Sequence, residues 1–298
     1  MSLSSSADVS SVESLPGVSV YDAALAQRLK CAMKSSALRG AETGLILQLN
    51  PDDEALELCW GPQASVRELP FRIDFTSAAA QQRRRQAKSE LVCKAFGGGA
   101  TRHVCDLTGG LGRDSVLLAA AGYSVILVER NPVLYHLLHD ALIRLRAVDA
   151  ALGSRLQLVH GDSAAIADVR DLLRRAAEVD ATAPAPTPWD ASAVGVYLDP
   201  MYDVNQVGRK SNVKKDTAML HRLVRDPAAA SSNDSNDCDY DAAQKGNNDG
   251  LFAAATRLVG TRIVVKRPLK APPLLGKAPQ SAVVGSTHRF DVYHPRIK

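Results

Sequence analysis

Four carboxylates in this sequence stand where chemistry could use them: Asp106, Glu129, Asp162 and Asp199, each closing or closely following an apolar run. Between the first two lie Gly109, Gly110 and Gly112. Glycine admits positive φ and carries no side chain to block a ligand. The apolar, alanine-rich run after this turn reads as a helix, whose first free N–H groups and positive dipole end would face whatever sits there. Glu129 stands 17 residues after Gly112. An acid at about that distance is how an α/β sheet holds an adenosine-containing cofactor by its ribose hydroxyls. The motif leaves the cofactor open, because the dinucleotide fingerprint G-x-G-x-x-G has Ser115 in its last place.

The fourth carboxylate opens the turn Asp199, Pro200, Met201, Tyr202. An aromatic or guanine-type exocyclic amine is a poor nucleophile, because its lone pair is delocalised into the ring. The Asp199 carboxylate and the Pro200 carbonyl can each accept one N–H, which directs the lone pair at an electrophile. Tyr202 can stack on the base, a contact worth ~1–3 kcal/mol per base. Such a base must first leave its helix or loop. This chemistry requires no metal.

These groups need a scaffold that brings strand ends together, and the pattern supplies one. From residue 101 strands and helices alternate: strand 101–108, helix 113–121, strand 124–129, helix 132–147 with Pro132 in its first turn, strand 155–160, and a helix to about 177. A Pro/Ala linker at 181–188 leads to strand 194–198. Such units build a parallel sheet covered by helices on both faces, with ligands at the carboxyl ends of its strands. A helix at 250–259, a strand at 262–267 and a closing hairpin over 281–285 and 288–294 complete the sheet. The expected fold is a Rossmann-like α/β domain over 76–298, with a mostly parallel seven-stranded sheet and an antiparallel C-terminal hairpin.

Before it, 20–75 reads as a small β-rich domain. It has a short helix at 21–34, a hairpin at 44–49 and 55–60 around N-P-D-D, and further alternation over 66–75. Residues 76–96 read as one helix carrying Arg83, Arg84 and Arg85, ended by the glycines at 97–99. The serine-rich 1–19 is expected to be a disordered tail. The Ser-, Asn- and Asp-rich 226–249 is expected to be a disordered insertion, since it has almost no large apolar residues to offset its ordering entropy.

Composition narrows the class. The 298 residues are 46% apolar, and no apolar run approaches the ~20 residues of a membrane span. The N-terminus has neither the basic start nor the apolar stretch of a secretory signal. The five cysteines are odd in number and scattered, with no C-x-x-C. That argues against a disulfide framework or a zinc site and for a reducing, cytoplasmic compartment. The net charge of +4 is mild, but cations cluster at 83–85, 209–210, 214–215 and 266–267, around the proposed crevice. Clusters so placed point to a polyanionic substrate.

Together these motifs resemble the S-adenosylmethionine-dependent methyltransferases of the Rossmann-like class. The D-P-x-Y turn is similar to the (N/D)-P-P-(Y/F) signature of their amino-methylating members, with Met201 in place of the second proline. More closely, the chain resembles the bacterial RsmJ family. The residues that carry this are I-D-F at 73–75 with R-R-R at 83–85, T-x-G-L-G-R-D at 108–114, L-V-E-R-N-P at 127–132, Y-L-D-P-M at 197–201, V-K-K at 213–215, V-V-K-R-P at 264–268 with A-P-P at 271–273, and H-R-F-D-V-Y at 288–293. The 226–249 insertion is unusual for that family.

The resemblance implies methylation of a guanine N2 in small-subunit ribosomal RNA, with S-adenosylmethionine as methyl donor. Asp199, Pro200 and Tyr202 would be catalytic. Asp106, Gly109, Gly110, Gly112, Arg113, Asp114, Glu129, Arg130, Asp162, Ser163 and Asp199 would hold the cofactor. Glu129 would take the ribose hydroxyls and Asp162 the adenine amino group. Arg83, Arg84, Arg85, Lys214, Lys215, Lys266 and Arg267 would meet RNA phosphates. The expected partner is ribosomal RNA or the small subunit, met by a monomer without a metal or a membrane. The rivals are amino-methylation of DNA adenine or protein glutamine, a nicotinamide oxidoreductase, and a non-catalytic RNA-binding module on the same fold.

Overall fold

A computed structural model describes residues 15, 18–20, 22–29, 44–64, 70–97, 99–179, 189–200 and 237–294. The fold from residue 103 onward is the expected one. Apolar strands β4 (His103–Asp106), β5 (Ser124–Glu129), β6 (Leu156–His160), β7 (Val194–Leu198) and β8 (Ile263–Pro268) pair in parallel. The last two strands, β9 (Ser281–Val284) and β10 (His288–Tyr293), are antiparallel, and the order across the sheet is β6-β5-β4-β7-β8-β10-β9. The order reverses between β4 and β7, which opens a crevice at their carboxyl ends.

One face is covered by α3 (Leu91–Phe96), α4 (Arg113–Ala121) and α5 (Pro132–Val148), the other by α7 (Val169–Val179) and α8 (Asp237–Leu258). The short α6 (Ala150–Gly153) leads into β6. Local chemistry fixes the helix starts at the crevice. Gly112, at φ +66°, opens α4, and the Asn131 side chain accepts from the Val133 and Leu134 N–H groups at the start of α5. A Cβ on Gly112 would lie 2.8 Å from Leu138 and 3.0 Å from Phe75, so only glycine fits this turn.

The N-terminal region forms a three-stranded sheet of β1 (Val18–Ser19), β2 (Leu45–Leu49) and β3 (Leu56–Trp60), with α1 (Ala23–Arg28) beside it. It shares the apolar core under α5. The Leu56 N–H donates to the buried Asp140 carboxylate on α5 at 3.1 Å, and Arg144 ties Asp140 to the Ile73 carbonyl.

Five expectations need correction. Val18 and Ser19 belong to the small sheet, because Val18 and Val20 carry apolar surface into its core. The first helix is shorter than 21–34 within the described residues. The alternation at 66–75 buries Phe71, Ile73 and Phe75 but gives one isolated bridge, Leu58 to Phe71, and residues 65–69 lie outside the described residues. The helix expected over 76–96 is three pieces: α2 (Ala78–Arg85), a 3-10 turn Ala87–Ser89, and α3. Glu90, in extended conformation, breaks it so that α3 can bury Val92, Cys93, Ala95 and Phe96 under the sheet.

The fifth correction concerns 226–249. Its part from Asp237 is helical and continuous with the buried end of α8, where Leu251, Phe252, Ala254, Ala255 and Leu258 pack. Scarce apolar residues argue against core packing but not against helix. Once a buried turn nucleates, polar residues without proline extend it at little cost. Residues 226–236, the 181–188 linker and most of the 1–19 tail lie outside the described residues.

Candidate active site

The carboxyl ends of β4, β5, β6, β7 and β8 gather the singled-out groups in two sets. The first surrounds the glycine loop. Asp106, at the end of β4, accepts from the Thr108 N–H at 2.9 Å, the Thr108 hydroxyl and the Ser115 hydroxyl. Burial pushes its pKa up to about 6 against those bonds. Glu129, at the end of β5, accepts from the Gly110 N–H at 2.6 Å and the Asn131 N–H at 2.7 Å. It is 7% exposed, and burial pushes its pKa up to about 7. Gly109 runs close against β5, where a Cβ would meet the Val128 carbonyl at 3.1 Å. Asp162, exposed after β6, caps the turn Ser163–Ala165 through the Ala164 N–H. Arg113 and Arg130 are exposed at the same rim.

The second set is built on charge. Lys266 on β8 extends its ammonium to Asp114 Oδ2 and to Asp199 Oδ2, each at 2.9 Å. Asp114, in the first turn of α4, also accepts from the Tyr197 hydroxyl at 2.6 Å, and Arg83 approaches it at 3.9 Å. Burial works against all three ions. Lys266, Tyr197 and Arg83 outweigh it at Asp114, whose pKa lies below the usual carboxylate range. At Asp199 burial outweighs Lys266, and the pKa is raised. At Lys266 the two carboxylates outweigh burial, so the ammonium is held charged. The Asp199 N–H donates to the Thr108 hydroxyl at 2.7 Å, which in turn donates to Asp106. That chain of bonds ties the β7 turn to the glycine loop and joins the two sets.

Several expected residues do other work. Lys266, expected at phosphates, is the bridge between two site carboxylates. Arg267, also expected there, is 6% exposed and donates to the Pro272 carbonyl at 2.8 Å, since its side chain points to the opposite face of β8. Ser163 is buried and donates to the Leu107 carbonyl at 2.7 Å, which pins β6 to β4. Arg84 donates to the Phe75 carbonyl and Arg83 pairs with Glu90, while Arg85 is exposed. Pro200 is buried beside Asp199. Tyr202, Lys214 and Lys215 lie outside the described residues.

The sequence reading assigned no role to Thr108, Tyr197 or His288. The first two hold site carboxylates. His288 packs edge-on against Phe290, near Lys266 and both carboxylates, and burial followed by Lys266 lowers its pKa. Their signal was present only as letters within longer motifs.

The donor set fits a bound adenosine-type cofactor. Glu129 keeps lone pairs beyond the two it gives to backbone N–H groups, Gly110 brings bare backbone to the crevice, and Asp162 stands exposed at the neighbouring strand end. Among the described residues no three His, Cys, Asp or Glu side chains group as a metal site, and no helix is long and apolar enough to cross a membrane.

Residues 33–295 match the model of a family described as putative SAM-dependent methyltransferases. The chain is 33% identical to the ribosomal RNA small subunit methyltransferase J of Chromohalobacter salexigens over 281 residues, 92% of this chain and 94% of that one. It is 38% identical to the protein of the same name from Yersinia pseudotuberculosis, over 74% of each chain. The crystal structure of a SAM-dependent methyltransferase from Neisseria gonorrhoeae is similar at a TM-score of 0.60, with 26% identity, covering 94% of this chain and 96% of that one.

Proposed function

This chain belongs to the family of putative S-adenosylmethionine-dependent methyltransferases and groups within it with the ribosomal RNA small subunit methyltransferase J proteins; from that membership we propose that it methylates the exocyclic N2 of a guanine in small-subunit ribosomal RNA. It acts as a cytoplasmic monomer on that RNA or on the assembling subunit. The observation that carries the amine as acceptor is the Asp199–Pro200 turn, tied through Thr108 to the glycine loop and fixed by Lys266.

S-adenosylmethionine, when bound, supplies an electrophilic methyl group. Glu129 takes its ribose hydroxyls, Asp162 its adenine amino group, and the backbone at Gly109, Gly110 and Gly112 lets it approach the sheet. Asp106 and Asp114 shape the wall beneath, and Arg113 and Arg130 close the rim. On the acceptor side, the Asp199 carboxylate and the Pro200 carbonyl accept the two N–H bonds of the amine and aim its lone pair. No covalent bond to the protein is needed, so positioning and lone-pair orientation supply the catalysis. Tyr202 stacks on the extruded base. Arg83, Arg85, Lys214 and Lys215 meet phosphates. Mass spectrometry of small-subunit ribosomal RNA from cells with and without the gene tests this reading. One guanine should lose a base methyl group when the gene is absent, and an unchanged RNA contradicts it.

A further inference from the structure

Lys266 touches both Asp114, in the first turn of α4, and Asp199, at the end of β7. Its side chain is about a quarter exposed and that of Asp114 is 12% exposed, so the contact is largely shielded from water. Tyr197, fully buried, donates its hydroxyl to Asp114 Oδ2, the same oxygen that Lys266 meets. A surface lysine that gathers phosphates would stand free at a rim. This one stands between two carboxylates of the site, with a second cation, Arg83, on the outer flank.

We propose that Lys266 is a positioning residue for methyl transfer: anchored by Asp114, which Tyr197 holds in place, it fixes Asp199 Oδ2 and leaves Asp199 Oδ1 to accept from the acceptor amine. The inference rests on the reading of Asp199 as the acceptor of the amine N–H. A carboxylate free to rotate would present either oxygen in many directions, and a displacement of about 1 Å at a reacting centre can cost about a hundredfold in rate. Lys266 also sets the ionisation of Asp199. The charged and titratable groups that face Asp199 are Lys266 from β8, Asp114 from α4, His288 from β10 and Tyr197 from its own strand. Lys266 is the one that favours the anion most strongly, and Asp114 opposes it.

The sign follows. Only ionised Asp199 accepts from Lys266 at Oδ2 and from the amine at Oδ1 at the same time, so turnover is lost as pH falls through its pKa. Removing Lys266 raises that pKa further, and the loss then begins at higher pH. An opposite charge at this range shifts a carboxylate by about 1–3 pH units.

The test measures kcat against pH, at saturating S-adenosylmethionine and ribosomal RNA, for wild type, Lys266→Met, Lys266→Arg and Asp114→Asn, with thermal melting to check folding. Lys266→Met should lower kcat by about a hundredfold and move the acid limb up by about one pH unit or more. Lys266→Arg keeps the charge and should keep the acid limb near its wild-type position. Asp114→Asn retains an acceptor for Lys266 but removes the opposing charge, and should move the limb the other way, which keeps the test alive if the methionine variant fails to fold. His288→Gln, measured alongside, removes the titratable group that faces Asp199 from β10. A Lys266→Met profile displaced in neither height nor pH overturns the inference, as does an Asp114→Asn limb that moves upward. Asp199→Ala separates the two ideas. If it retains activity, the reading of Asp199 itself is wrong. If it is inactive while the Lys266 variants behave like wild type, the role of Lys266 alone is wrong.

Discussion

The two halves of the crevice hold their carboxylates by different physics. On the β4–β6 side, Asp106, Glu129 and Asp162 are held by neutral donors: the backbone N–H groups of Thr108, Gly110, Asn131 and Ala164 and, at Asp106, the Thr108 and Ser115 hydroxyls. On the β7–β8 side, Asp114 and Asp199 are held by a lysine ammonium. Dipoles orient a carboxylate but only partly offset its burial, so Asp106 and Glu129 have raised pKa values. A full positive charge at 2.9 Å does more at Asp114, where Tyr197 and Arg83 add to it and the pKa is lowered, while at Asp199, which has the ammonium but not those partners, burial still raises the pKa. The dipole-held half suits a ligand with neutral hydroxyls and an amino group. The charge-held half suits a step in which positive charge builds on a nitrogen.

The largest expected effect comes from removing the acceptor in the charge-held half. Asp199→Ala should reduce methyl transfer by at least about 10²–10³-fold, the cost of deleting one preorganised group at a reacting centre, while RNA affinity across a salt series stays near wild type. Equal losses in both assays would mean that Asp199 serves RNA docking rather than the chemical step.

Next is the dipole-held half. Glu129→Ala should weaken S-adenosylmethionine binding by ~1.5–3 kcal/mol for each charge-assisted bond lost. Calorimetric titration reads this directly, and unchanged affinity removes Glu129 from the cofactor site.

A smaller effect separates the halves by pH. The Glu129 pKa, pushed up to about 7 by burial, lies above its unfolded value. The folded apo protein therefore takes up a proton there as pH falls through about 7, and that proton must leave again when cofactor hydroxyls donate to the carboxylate. Affinity for S-adenosylmethionine should fall below that pH, by up to about tenfold per pH unit for one linked proton. Glu129→Gln should flatten the dependence. A wild-type profile flat from pH 5 to 8 breaks the contrast between the two halves.

Much of this was legible in the sequence, and the contrast explains what was not. The caps Asn131 and Asp162 act within three residues, and Glu129 meets the glycine turn 19 residues before it at a spacing typical of a strand-turn-helix-strand unit, so spacing reveals them. The partners of Lys266 lie 152 and 67 residues away. Only the fold brings them together, and from letters alone K-R at 266–267 reads as a basic patch. The same limit hid Arg267, whose partner depends on which face of β8 it occupies, and Ser163, whose hydroxyl meets the Leu107 carbonyl just past β4, two strands across the sheet. The onset of α8 at Asp237 was hidden because its polar first turns lack the apolar periodicity that marks a helix.

The smallest expected effect tests that last kind of contact. Ser163→Ala leaves the Leu107 carbonyl without its hydroxyl donor and should cost about 1 kcal/mol of stability, with little change in turnover. Denaturant unfolding measures it. A loss confined to cofactor affinity, with stability unchanged, would return Ser163 to the list of cofactor contacts.

The central claim is that the Asp199 turn presents an exocyclic guanine amine to the methyl group that S-adenosylmethionine would supply. It is tested most directly by supplying the purified protein with methyl-labelled S-adenosylmethionine and small-subunit ribosomal RNA from cells lacking the gene, then identifying the labelled nucleoside. The account predicts label in N2-methylguanosine. Label on a ribose, on a ring nitrogen or on adenine would contradict it.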